Sequence, residues 1–157
     1  MADGFRERIQ ALADDAGIAI QDLNDQRAII QFGIGESTQT LIVIDMADVW
    51  EFSCQSALRE SSAQELPAPL LAFLLERNAQ NQRGFWCIET VNGQAVISYM
   101  HNLPPALLTT DEFVATCETV VRQVEALEAG FRIAARQLSE TEAAEPEIGR
   151  DGTGGEA

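Results

Sequence analysis

The chain has 157 residues and a formal net charge of −15, and all ten of its basic residues are arginine. That length suits one domain with a real core, and an apolar fraction of 46 % excludes wholesale disorder. Phosphates would repel so acidic a chain, which argues against nucleic acid and anionic membranes as partners. The missing lysine removes phosphate-loop, Schiff-base and lysine-base chemistry together.

Residues 4–17 place Phe5, Ile9, Leu12, Ala13 and Ala16 on one helical face, and Gly17 ends the pattern. Residues 18–23 suit a short strand before the Asn24-Asp25 turn. Residues 27–34 (RAIIQFGI) read as a strand, with Gly35-Glu36-Ser37 as a hairpin turn, and residues 40–45 (TLIVID) follow. Residues 49–56 alternate Trp50, Phe52 and Cys54 against Glu51, Ser53 and Gln55, the mark of a half-buried strand. Short links between these runs predict an antiparallel meander.

After a polar stretch, Leu66-Pro67 opens a helix expected to run to about Gln82, with Gly84 as its stop. Residues 85–90 (FWCIET) and 94–101 (QAVISYMH) flank Asn92-Gly93, a strong hairpin signal. Thr109 and Glu112 have capping-box spacing at the head of a long helix reaching about Gln137. Its apolar residues Phe113, Cys117, Val120, Val124, Leu127, Phe131, Ala134 and Leu138 alternate steps of three and four. Such a stripe serves a coiled-coil seam or a sheet-covering face; Val114 and Val121 widen it and favour the sheet. The predicted order is α-β-β-β-α-β-β-α, an α+β domain over residues 1–138 whose helices cover one face of an antiparallel sheet. Residues 139–157 have almost nothing to bury and read as a disordered acidic tail.

No catalytic, cofactor-binding or metal-ligating constellation emerges, so the chain is expected not to be an enzyme and to need no cofactor. His101 is the only histidine and has no partner in sequence for a triad or a metal. Cys54, Cys87 and Cys117 fall on apolar segments and match no zinc or redox spacing, so buried, inert thiols are expected. Gly33-Ile34-Gly35 lacks the third glycine and the following helix of a dinucleotide loop. Asp45 and Asp48 lack the ligand spacing of a calcium loop. With no signal-peptide core, no apolar membrane span and reduced thiols, the expected location is the cytoplasm.

One feature exceeds what a lone subunit needs. In the middle helix Leu66, Leu70, Leu71, Phe73, Leu74 and Leu75 cover an arc of roughly 200°, where a surface helix needs about 100°. Leu71 and Leu75 lie off the main direction, which implies a second contact. The strand at 85–90 is apolar on both faces: Phe85 and Cys87 on one, Trp86 and Ile88 on the other. A sheet covered on one side should be polar on the other. Leu71, Leu75, Trp86 and Ile88 are therefore the expected dimer or partner interface.

The stretch from Leu66 to Asn78 (LPAPLLAFLLERN), then Arg83-Gly-Phe-Trp-Cys-Ile-Glu89, the Asn-Gly hairpin, Ala95-Val-Ile-Ser-Tyr-Met100 and the helix opened by Thr-Thr-Asp-Glu-Phe113 together resemble the YbjN family. The resemblance runs over about residues 4–135 and lies within the wider type III secretion chaperone-like fold. It implies a homodimer of small acidic subunits that holds an extended stretch of another protein, as a chaperone or a regulator, with no catalysis and no required cofactor. No functional residue carries over by motif. A second reading keeps the chain as a small-molecule sensor, with Trp50, Trp86 and Tyr99 around a pocket.

Overall fold

The structure is a computed structural model that describes residues 4–144. The elements are α1 (Phe5–Ala16), β1 (Ile20–Leu23), β2 (Arg27–Ile34), β3 (Ser37–Asp45), β4 (Trp50–Glu60), α2 (Ala68–Asn78), β5 (Phe85–Val91), β6 (Gln94–Leu103) and α3 (Thr110–Ala144), with two short 3₁₀ turns at Ala63–Glu65 and Pro105–Leu107. All strand pairs are antiparallel, in the order β1-β2-β3-β4-β6-β5. The α+β class and the extra short strand match the sequence reading.

Cross-strand partners fix which side chains share a face. Ala28 pairs with Val43, Ile30 with Leu41, Leu41 with Cys54, Val43 with Phe52, Cys54 with Tyr99, and Tyr99 with Trp86. All of these are buried, and together they form the floor of the core. The three helices lie on this one face. Phe5 of α1 meets Trp50 edge to face at 4.8 Å, and Phe113 of α3 meets Phe52 at 6.1 Å. From α2, Leu74 joins the same cluster. Burying each such side chain contributes about 1.5–3 kcal/mol.

The Asn92-Gly93 turn has φ of 50° and 78°, the left-handed pair that a two-residue hairpin requires. The middle helix is shorter than the pattern suggests and ends at Asn78. The side chain of Asn78 turns back to bond the Trp86 main chain, accepting from its N–H at 2.7 Å and donating to its carbonyl at 3.0 Å. Only half of the expected capping box forms on α3. Thr109 Oγ1 accepts the Glu112 N–H, whereas the Glu112 carboxylate pairs with Arg83.

Helix α3 reaches Ala144, past the boundary at 138, so residues 139–144 are helical rather than part of a disordered tail. The rest of that expected tail, 145–157, lies outside the described residues. The apolar stripe changes role along the helix. Phe113, Cys117, Val120 and Val124 are buried on the sheet, but residues 130–141 are all exposed. Glu125 and Glu128 fasten the helix at the crossover. Glu125 accepts from Ser37 and Gln39, and Glu128 accepts from Gln39 and from the Ala57 N–H. Ala57 sits in the register break of β4 against β6, between Gln55 and Arg59, so a carboxylate satisfies a donor that the ladder leaves free there.

Candidate functional site

Strand order leaves two free edges. The β1 edge is short, its pairing with β2 is irregular, and it carries the exposed Asp22–Arg27 ion pair, features that discourage further strand pairing. The β5 edge is longer and bears one charge, Glu89. Beside it, α2 has no charged residue until Glu76.

Between α2 and β5 lies a groove of about 250 Å³ lined by Leu71, Leu74, Leu75, Trp86, Cys87, Ile88 and Ile97. The four residues singled out from sequence, Leu71, Leu75, Trp86 and Ile88, thus meet on one apolar surface. Their exposure differs. Trp86 is only 7 % exposed and forms the floor, while Leu75 is 68 % and Ile88 43 % exposed. Phe73 on α2 is also exposed, and Phe85 is exposed on the opposite face of β5. Leu71 packs partly on the core and partly into the groove.

A second, polar cleft of about 570 Å³ opens where the 79–84 segment passes the end of β6 and the side of α3. Gln80, Asn81, Gln82, Arg83, Tyr99, His101, Glu112, Thr119 and Gln123 line it. The Arg83 guanidinium bridges to Glu112 and reaches Thr116, and the Tyr99 hydroxyl donates to the Arg83 carbonyl. Burial lowers the pKa of His101, the nearby Arg83 charge lowers it further, and Glu112 pulls it partly back. Sequence reasoning missed this cleft, because its residues come from one loop, one strand end and one helix flank and share no motif. The aromatic pocket imagined for a sensor does not form. Trp86 and Tyr99 do meet edge to face at 5.0 Å, but Trp50 is buried against Phe5 of α1.

The sheet's other face carries none of the three helices. Val96, Ser98 and Met100 are nonetheless buried there, beside Cys87 and Glu89 on β5 and Ser53 and Gln55 on β4. Ser98 Oγ and one Glu89 oxygen are buried with no partner among the described residues. Burial raises the pKa of Glu51 on this face, and the Glu89 charge raises it further. Burial pushes the thiols of Cys54, Cys87 and Cys117 up to about 12, so they stay protonated at neutral pH. Among the described residues, no group of three His, Cys, Asp or Glu side chains is placed to hold a metal. No helix among them is long and apolar enough to cross a membrane.

Two carboxylates on β4 and α3 should respond oppositely to pH. The raised Glu51 favours the folded state below the unfolded carboxylate value of 4.5, and this support fades as pH climbs past it. Glu125 is shifted down, chiefly by the Ser37 hydrogen bond, with burial opposing and Gln39 and Arg132 assisting. Its support is present above the unfolded value and is lost as pH falls through the folded one. At pH 7, Glu51→Gln should hold or raise the melting temperature and Glu125→Gln should lower it. The gap between the two variants should close as pH falls below 4.5 and through the folded value of Glu125, as followed by circular dichroism. A gap that persists in acid would refute this assignment.

Residues 6–132 match the YbjN family, described as "Putative bacterial sensory transduction regulator". Among solved structures, the chain is similar to one described as "Crystal structure of YbjN, a putative transcription regulator from E. coli". The TM-score is 0.59 at 16 % identity, covering 80 % of this chain and 91 % of that one. No curated protein sequence matches the chain.

Proposed function

The chain belongs to the YbjN family of bacterial regulators, and from that premise we propose that it regulates by holding another polypeptide, as a non-catalytic, cytoplasmic homodimer. The observation that carries the reading is the convergence of Leu71, Leu75, Trp86 and Ile88 on one groove beside an uncovered sheet edge. A lone subunit gains nothing by exposing Leu75 and Ile88 together, and adjoining exposed apolar residues mark contact surfaces. An extended segment fits both features. Its main chain adds to the β5 edge, and alternate side chains enter the groove. The net charge of −15 selects a segment with basic flanks and speeds its arrival.

The homodimer seam is assigned to the α3 overhang, residues 130–141. Phe131 and Leu138 are exposed there at 40 % and 67 %, on the stripe that the sheet no longer covers. This stretch holds Arg132, which is paired with Glu125, and Arg136 against Glu140, so its charges nearly cancel. It is thus a place where two strongly acidic subunits can meet with little repulsion.

The groove is tested with an array of arginine-flanked peptides whose central residues alternate valine and threonine, read by fluorescence anisotropy. Binding is expected in the micromolar range, and Leu71→Asp with Leu75→Asp should weaken it at least tenfold while the far-ultraviolet spectrum is retained. If no peptide binds, or the double variant binds as well as the parent, the groove is not the contact surface.

A further inference from the structure

The polar cleft has the composition of a ligand site and belongs to neither the groove nor the core. Its only charged lining residues, Arg83 and Glu112, neutralise each other, so an anion finds no free cation and a cation finds no free carboxylate. The remaining lining is dominated by carboxamides and a hydroxyl, from Gln80, Asn81, Gln82, Gln123 and Thr119. Carboxamides donate and accept side by side, as vicinal hydroxyls do. The Asn81 Nδ2 is buried with no partner among the described residues, a donor the fold leaves unmatched at the cleft wall. Tyr99 is fully buried and packs edge to face on Trp86, so it offers no open ring face on which a nucleobase could stack. The volume of about 570 Å³ falls within the range of small-molecule clefts, about 300–1,000 Å³.

The cleft also adjoins the groove. Its 79–84 segment is the link between the two groove walls, α2 and β5. Gln123 borders both the cleft and a smaller apolar pocket, and that pocket shares Leu74 and Trp86 with the groove. Tyr99 joins the same surfaces from below, its hydroxyl on the Arg83 carbonyl and its ring against Trp86. We propose that this cleft binds a small uncharged, hydroxyl-rich molecule of monosaccharide or polyol type, and that occupancy resets the groove through residues 79–84 and Trp86. The binding half stands on the cleft alone, while the regulatory half rests on the groove being the polypeptide site.

The test is a titration of the full ¹⁵N-labelled chain with D-glucose, D-ribose and myo-inositol, with D-glucose 6-phosphate and choline as charged comparators. At least one neutral probe should give saturable shifts in the side-chain amides of Asn81 and Gln123, accompanied by the Trp86 indole. Gln123→Leu should weaken that binding about tenfold while the spectrum stays dispersed. The Leu71→Asp, Leu75→Asp variant should keep the cleft shifts, which separates a failure of the cleft from a failure of the groove. No saturable shift with any neutral probe, or binding of the charged comparators alone, overturns the site. Cleft shifts that leave the Trp86 indole unmoved overturn the coupling.

Discussion

Gly84→Ala should lower stability by about 2–5 kcal/mol, a large loss for the addition of one methyl group. Gly84 has a φ of +81°, and a side chain in that region costs about 1–2 kcal/mol in backbone strain alone. A Cβ there would also lie 2.5 Å from Tyr99 Cε1 and 2.6 Å from the Met100 carbonyl oxygen. The main chain of β6 cannot swing away as a flexible tip can, and crowding of this kind adds about 1–3 kcal/mol. Gly35→Ala is the matched control. Gly35 has a φ of +61° but nothing within 4 Å of its would-be Cβ, so it carries the strain without the clash. Thermal melts of the two variants should differ by several degrees. Equal losses would mean that Gly84 is kept for its backbone alone.

Phe131→Asp with Leu138→Asp should halve the solution mass seen by sizing with light scattering, with little change in melting temperature. Both side chains are exposed on the overhang, so removing them deletes no core contact. A helix of about 18 Å standing free of the domain gains little from its own hydrogen bonds, and an apolar stripe along it gives a second copy something to bury. Leu127, Phe131, Ala134 and Leu138 keep the step of three and four residues that lets two such helices mesh. A monomeric parent, or an unchanged mass in the variant, would remove the dimer assignment. A drop in mass with a large drop in melting temperature would instead mean that the overhang supports its own domain.

Strands were the most legible part of this fold. Their alternation is strict on the helix-covered face: Ala28 and Ile30, Leu41 and Val43, and Phe52 and Cys54 all point into one core. The surplus on α2 was also legible, because Leu75 lies off the core direction and is indeed exposed. Helix ends were not. Residues 79–82 contain no breaker, and what stops α2 at Asn78 is a tertiary event, the engagement of its side chain with Trp86. The fate of the long stripe was hidden for a similar reason. Val124 and Leu138 look alike in sequence, and only the extent of the sheet decides which one is covered. The cleft was illegible altogether, since Gln80, His101 and Gln123 meet only after β6 has passed between its neighbours.

That placement of β6 has a kinetic consequence. Strands β1 to β4 pair with their sequence neighbours and need only short loops to close, so they can zip as the chain is made. β4, by contrast, must find β6 across the whole of residues 61–93, a slower search through a larger loop. Until that closure happens, the β5–β6 hairpin and α2 have no larger sheet and no shared core to dock on. The gripping surface is therefore the last part of the molecule to mature, and a half-synthesised chain carries no premature version of it.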